Sequence, residues 1–282
     1  MVRAKMKRIV AAALAEDIGT GDITTLATVG PKKKGRAVAV AKQDFVVAGL
    51  EVFAFAFKCI DKNIRVKKLI TDGKLAKKGD IIAEVEGRLS VILQAERTAL
   101  NFLQRMSGIA TQTGKYVRAV RGTGVKILDT RKTAPGLRPL DKMAVRLGGG
   151  VNHRFGLFDA VLIKDNHIEA AGGITAAVAQ QKKYLKKKLK IEVEVKNLSE
   201  VKEALDCGVD IIMFDNMTNA AMKKAVALVH GRALTEASGN VNLRRISAIA
   251  KTGVDFISVG ELTHSVRAAD ISLLVKGASR QE

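Results

Sequence analysis

Tryptophan is absent from this chain of 282 residues, and aromatic residues together make up only 4% of it. The core must therefore be built from aliphatic side chains and alanine, drawn from the 47% of residues that are hydrophobic. The shortage of aromatics also removes the stacking platforms that hold single-stranded nucleic acid. There are only two cysteines, Cys59 and Cys207, far apart and in apolar contexts. That excludes a disulfide framework and reads as two reduced core thiols. The four histidines show no tight ligand spacing, so no zinc site is expected. No apolar run approaches the roughly 18 residues of a membrane span. No secretory signal opens the sequence, so the expectation is a cytoplasmic protein without a membrane partner.

Positive charge, by contrast, is abundant. Lysine and arginine number 48 against 28 acids, a net charge of +20. Such a balance suits a nucleic-acid binder or an enzyme for polyanionic small molecules. The densest run, Lys182 to Lys190, reads as a solvated helix face.

Two kinds of pattern divide the chain. Residues 3 to 16 carry helical spacing, ended by the glycines of EDIGTGDITT. Gly35 to Val47 and Ile64 to Ile70 alternate as strands, with an apolar helix from Gly49 to Ile60 between them. Residues 72 to 87 hold two turn signals around short strands. Ser90 to Val120 then reads as one long helix that carries Arg97 and Arg105. From Val125 onward, short apolar runs alternate with helical stretches: Val125–Leu128, Ala160–Ile163, Ile191–Val195, Asp210–Phe214, Ala233–Thr235 and Val254–Val259. That βα alternation predicts a parallel sheet.

The run-outs of those strands matter most. They are Asp129-Thr130-Arg131-Lys132, Lys164-Asp165-Asn166-His167, Glu194 with Lys196, Asp215-Asn216, Glu236-Ala237-Ser238-Gly239-Asn240, and Gly260-Glu261. In a βα barrel such ends converge on one mouth, where the active site lies. Cations crowd the stretch from Asp129 to His167, with His153 and Arg154 following a glycine triplet. A cation cluster at strand ends suits a polyanion. Glu192 and Glu194 share one face of their strand, and the sequence leaves open which of them faces the mouth. Ser238-Gly239-Asn240 and Gly260 are loops in which backbone N–H groups can approach a phosphate.

Motifs along nearly the whole chain resemble the quinolinate phosphoribosyltransferase family. They are EDIGTGDITT, ERTALNFLQRMSGIAT, DTRKTAPGLRPLDKMAVRLGGGVNHR, DAVLIKDNH, EVEVKN, FDNM, EASGNVN and GVDFISVGELTHS, in the family's order. The resemblance implies an α/β fold with an N-terminal α/β sandwich domain and an incomplete, about six-stranded parallel α/β barrel. It places the sandwich at residues 1–109, the barrel at 110–267, and residues 268–282 packing back on the sandwich. The activity it implies joins quinolinate to phosphoribosyl pyrophosphate, giving nicotinate mononucleotide, CO2 and pyrophosphate in NAD biosynthesis.

The same resemblance implies the roles of residues. Arg97, Arg131, Lys132, His153 and Arg154 surround quinolinate, and Lys164 faces the phosphoribosyl donor. Glu194 and Asp215 sit by the ribose and Mg2+, the ion arriving mainly on the donor with no protein ligand assigned. Ser238, Gly239, Asn240 and Gly260 hold the 5′-phosphate, and Lys132, Lys164, Glu194 and Asp215 form the catalytic set. It implies a homodimer, or a higher homo-oligomer, in which Arg97 crosses into the partner's site. One departure is Asn240, where the family often carries a second glycine, so a positive φ there is harder to reach. The alternatives are a paralogue of the same fold acting on nicotinate or associated with molybdate, and a basic nucleic-acid-binding protein. The resemblance favours small-molecule substrates and no nucleic acid.

Overall fold

A computed structural model of the chain describes residues 2–186 and 189–276. Two compact units emerge. The first comprises Met1–Gly114, Thr133–Gly149 and the chain from Ser265 onward, and the second Lys115–Lys132 and Gly150–His264.

The first unit is built on a four-stranded antiparallel sheet. Its strands are β1 (Lys34–Ala41), β3 (Arg65–Lys68), β5 (Ile81–Arg88) and the C-terminal strand Ile271–Lys276. β1 is central, between β5 and the C-terminal strand, and Ala37, Val38 and Ala39 are all buried. Two short strands, β2 (Phe45–Val46) and β4 (Leu75–Ala76), pair separately. The single strand expected over Gly35–Val47 is therefore two. Asp44 explains the break: its carboxylate accepts the Lys78 N–H and pairs with Lys77, turning the chain toward a new strand partner. Residues 277–282 of the segment expected to pack back here lie outside the described residues.

The helix Leu50–Ile60 buries Phe53 and Phe57 edge to face, with ring centroids 5.1 Å apart. It begins after Gly49 at φ 103, and the carboxylate of Asp72 accepts the Leu50 N–H. The long helix Leu89–Ala119 buries Ile92, Ala95, Ala99, Leu103, Met106 and Ile109 at spacings of three and four. Its Ser107 and Thr111 hydroxyls accept the N–H groups of Ala48 and Val46. Arg105 forks onto Asp141 of the helix Arg138–Leu147, with both bonds at 2.9 Å. That helix ends at Gly148, where a Cβ would stand 2.4 Å from the Ala110 carbonyl oxygen.

The second unit is a six-stranded parallel sheet: β6 (Lys126–Leu128), β7 (Val161–Ile163), β8 (Ile191–Val195), β9 (Ile211–Asp215), β10 (Leu234–Ser238) and β11 (Phe256–Ser258). Their order is β6-β11-β10-β9-β8-β7. The succession is that of a βα barrel with β6 and β7 left unpaired, so the barrel is open between its first two strands. Val151 covers the free edge of β6: its N–H donates to Ile127 O and its carbonyl accepts from Asp129 N–H. The alternation along each strand then decides the chemistry. Val193, Val195, Ile212, Phe214, Ala237, Ile257 and Val259 are buried on one face. The intervening residues, including Glu192, Glu194, Met213, Asp215, Glu236, Ser238 and Ser258, share the other face. Parallel barrels ordinarily fill that inner face with branched aliphatics. Acids there mean that the site reaches down into the barrel.

Two expectations are corrected. Cys59 is exposed at the end of its helix and Cys207 is half-buried, so neither is a core thiol. The lysine run is not one helix face, because the helix Ile174–Tyr184 stops before most of it. Lys182 instead donates to Cys207 O at 2.6 Å. Lys187 and Lys188 lie outside the described residues.

Candidate functional site

At the C-terminal ends of the six strands lies a pocket of about 840 Å³, large enough for two small ligands. Its walls include Arg131, Lys132, His153, Arg154 and Lys164. They also include Glu194, Asp215, Ser238, Gly239, Asn240 and Gly260. Arg97 is exposed on the helix Leu89–Ala119 and is not among the lining residues.

The opening between β6 and β7 explains how two of these residues arrive. Asp129, buried at the end of β6, accepts the His153 N–H at 2.9 Å. Together with the Val151 bridge, this fixes the His153-Arg154 dipeptide at the lip of the open edge. The Arg154 guanidinium donates once, to Ala160 O at 3.2 Å, and its buried Nε has no partner among the described residues. Burial, then the nearby Arg131 charge, disfavours its charged form, while Glu192 and Asp159 favour it. A buried donor without an acceptor is costly unless a ligand supplies one. An anionic group placed there would satisfy both the donor and the charge.

Lys164 ends β7. Its backbone N–H donates to His167 Nδ1 at 2.9 Å, which sets the start of the following helix, Asp165–Ala171. Its ammonium reaches Glu194 at 3.3 Å. Burial raises the pKa of Glu194, and the Lys164 charge opposes that rise. Glu194 is therefore the mouth-side acid and Glu192, on the same face, the deeper one. On β9, Asp215 accepts from Asn216 Nδ2 at 3.0 Å, and Asn216 Oδ1 accepts from Asn240 Nδ2 at 3.0 Å. Asn240 does take the left-handed region, at φ 49, and its amide side chain uses the position to tie the loop to Asn216. Gly239 has φ 87, and a Cβ there would stand 2.2 Å from Asn216 Oδ1. The backbone N–H groups of Gly239, Asn240 and Gly260 make no backbone hydrogen bond among the described residues. Such free donors after late barrel strands suit a phosphate.

The floor holds a group that sequence reasoning did not assemble. His153 Nε2 lies 3.1 Å from Glu192 and 3.6 Å from Glu236. Both acids are buried, and Glu236, like Ser258 beside it, lines the pocket. The three side chains are close enough to hold a metal ion, but the imidazole argues otherwise. His153 Nδ1 accepts the Arg154 N–H at 2.7 Å, which leaves the ring proton on Nε2, facing the acids. A metal-bound histidine has the reverse arrangement, donating from its free nitrogen. Glu236 is pushed up to about 8, by burial first and by the Glu192 charge second, with His153 and Ser258 opposing. The signal for it was available: Glu236 sits two residues before Ser238 on the same face of β10. Glu261 and His264 also line the pocket without having been foreseen as site residues. Glu261 accepts a hydrogen bond from the buried Tyr116 hydroxyl. Burial and that acceptor hold Tyr116 well above the ordinary phenol value.

A partial parallel barrel with a cation-rich mouth, free loop donors and acids inside defines a transferase acting on a small polyanion. Family models narrow it. Quinolinate phosphoribosyl transferase, N-terminal domain, matches residues 22–107, and its C-terminal domain matches residues 109–274. The chain belongs to the quinolinate phosphoribosyl transferase family and is a phosphoribosyltransferase. The chloroplastic nicotinate-nucleotide pyrophosphorylase [carboxylating] of Arabidopsis thaliana is 46% identical, over 96% of this chain and 82% of that protein. A probable nicotinate-nucleotide pyrophosphorylase [carboxylating] of Bacillus subtilis is 42% identical over 95% and 93%. Among solved structures, the nicotinate-nucleotide pyrophosphorylase from Francisella tularensis superposes with a TM-score of 0.93. It is 44% identical, over 97% of this chain and 96% of that one.

Proposed function

We propose that this protein transfers the phosphoribosyl group of phosphoribosyl pyrophosphate to the ring nitrogen of quinolinate, with loss of CO2 and pyrophosphate. The observation that carries the reading is the unpartnered Nε of Arg154 in a pocket that Arg131, Lys132 and the phosphate-type loops also line. Arg131, Lys132 and Arg154 take the two carboxylates. His153 has both ring nitrogens engaged by the protein, so it holds Arg154 in place and closes the wall. Ser238 to Asn240 and Gly260 take the 5′-phosphate through backbone donors.

The ring nitrogen attacks the anomeric carbon as pyrophosphate leaves. Positive charge builds on the sugar, and Glu194 and Asp215 stabilise it. Lys132 and Lys164 oppose the charge on the departing pyrophosphate. Mg2+ carried by the donor would lie on the Glu194 and Asp215 side of the pocket and would supply positive charge against the leaving pyrophosphate. The ring, now cationic, accepts the electron pair of the breaking carbon–carboxylate bond, and CO2 departs. Holding both substrates in one pocket supplies much of the rate, because positioning replaces a chance encounter.

The protein acts in the cytoplasm as a homodimer, and Arg97 of one protomer completes the partner's site. The exposure of Arg97 on its helix supports this arrangement. Among the described residues, no helix is long and apolar enough to cross a membrane. Turnover tests the activity: quinolinate with the donor must release pyrophosphate and CO2 together. Turnover of nicotinate in preference to quinolinate would indicate the paralogue reading. Salt-sensitive duplex binding without turnover would indicate the nucleic-acid reading.

A further inference from the structure

Loss of CO2 from the ribosylated ring leaves an electron pair on carbon, and the reaction ends only when a proton reaches that carbon. We infer that the carboxylic acid of Glu236 supplies it. This inference rests on the activity proposed above.

Several observations converge on Glu236. Its side chain is 1% exposed, yet it lines the substrate pocket. Glu192 and Glu236 flank the same imidazole edge, within 3.1 and 3.6 Å of His153 Nε2. Two carboxylates this close and this buried do not both ionise, so one proton stays in the cluster. The His153 charge favours an ionised Glu236, but burial and the Glu192 charge outweigh it. The neighbouring strands favour a proton on Glu236. β11 presents Ser258, and β9 presents Met213, with Asp215 a further two residues up the strand. Neither gives Glu236 a cation, whereas the guanidinium of Arg154 acts on Glu192. Glu236 Oε1 has no hydrogen-bond partner among the described residues, so that oxygen is not committed to a protein group. Its proton is retained to about pH 8.

The step balances. The two changes occur together: as the carbon–carboxylate bond breaks, its electron pair takes the Glu236 proton at the ring carbon, so CO2 leaves only as Glu236 becomes a carboxylate. Beside Glu192 the new charge is unfavourable, so Glu236 regains a proton from water once product leaves and the pocket fills. The remaining floor group, His153, turns its Nε2 to Glu192 and Glu236.

Rapid-quench turnover of the full-length enzyme, following pyrophosphate and CO2 separately, tests the inference. Glu236→Gln keeps the shape and removes the acid. It is expected to release pyrophosphate in the first turnover at close to the wild-type rate, with CO2 and product lagging by about a hundredfold, the usual scale of general acid catalysis. Glu236→Asp keeps an acid and is expected to recover part of the loss. CO2 released in step with pyrophosphate at the wild-type rate in Glu236→Gln overturns the inference. A parallel fall of both products overturns it too, since that marks a role in binding or folding. If Glu236→Gln does not fold, Glu236→Asp decides alone: a CO2 lag of about tenfold, from a misplaced donor, supports the inference, and no lag overturns it. Absence of pyrophosphate release by the wild-type enzyme would overturn the proposed activity itself, and the inference with it.

Discussion

The protonated acid on the barrel floor has a consequence for folding that does not depend on substrate. Glu236 ionises near 4.5 in an unfolded chain and near 8 in the folded one. Below about pH 4.5 both states keep the proton, and nothing is lost. Between the two values the unfolded chain releases its proton while the folded one retains it, so stability falls as pH rises. Above about pH 8 both are ionised and the loss is complete. At about 1.4 kcal/mol per pH unit, that window is worth several kcal/mol at most. Glu236→Gln cannot ionise, so its folded state escapes this cost. Urea denaturation of both proteins at about pH 5 and about pH 8.5, at one ionic strength, measures the effect as a difference in which all other titrating groups cancel. The variant is expected to match the wild type within about 1 kcal/mol at the lower pH and to exceed it by several kcal/mol at the higher. Parallel stability curves for the two proteins would refute the reasoning.

Arg154→Ala should lower kcat/KM for quinolinate by about ten- to a hundredfold, the worth of one charge-assisted bond, and narrow the preference over nicotinate. A lower thermal midpoint with an unaltered substrate ratio would instead mark Arg154 as a structural residue. Gly239→Val should raise the donor's KM by about tenfold or more, since a side chain at φ 87 strains the loop and strikes Asn216. Equilibrium binding of the donor is the check. Asp141→Ala should cost about 2–4 kcal/mol in denaturant unfolding, because it removes a buried carboxylate that accepts the Arg105 fork and the Ala134 N–H. Mixing Arg97→Ala with Lys132→Ala subunits should restore part of the activity that each lacks alone. No rescue in subunits shown to exchange would remove Arg97 from the partner's site.

The barrel strands were legible because their signals are local. Each is a short apolar run, and each ends in a polar residue where the active-site mouth must be. The site residues at those ends, from Arg131 through Gly260, could be named for the same reason. Parity also made Glu192 and Glu194 share a face. What the sequence left open was depth: only packing shows that Glu192 lies on the floor and Glu194 at the mouth. Glu236 escaped notice because a glutamate inside an apolar run looks like part of the strand. Its meaning comes from His153, which is distant in sequence and arrives through the unpaired edge of β6. The core-thiol expectation failed on a similar point. Cys59 follows buried residues in an apolar helix, but helical rotation turns it to solvent near the helix end.

The open edge and the buried acids belong to one arrangement. A closed barrel would pair β6 with β7 and leave no place for Val151 to bridge to β6. That bridge and the Asp129 carboxylate hold the His153 backbone, and Arg154 follows it to the pocket wall. The inner face then needs groups that can receive an imidazole N–H in place of aliphatic side chains, and β8 and β10 provide Glu192 and Glu236. Two ionised acids there would cancel much of the positive charge that Arg131, Lys132 and Arg154 present to an anionic ligand. Sharing one proton halves that opposing charge, so the floor can anchor His153 while the wall stays net positive. The same proton that keeps the pocket attractive to a dicarboxylate is therefore the one nearest to hand when a carboxylate leaves.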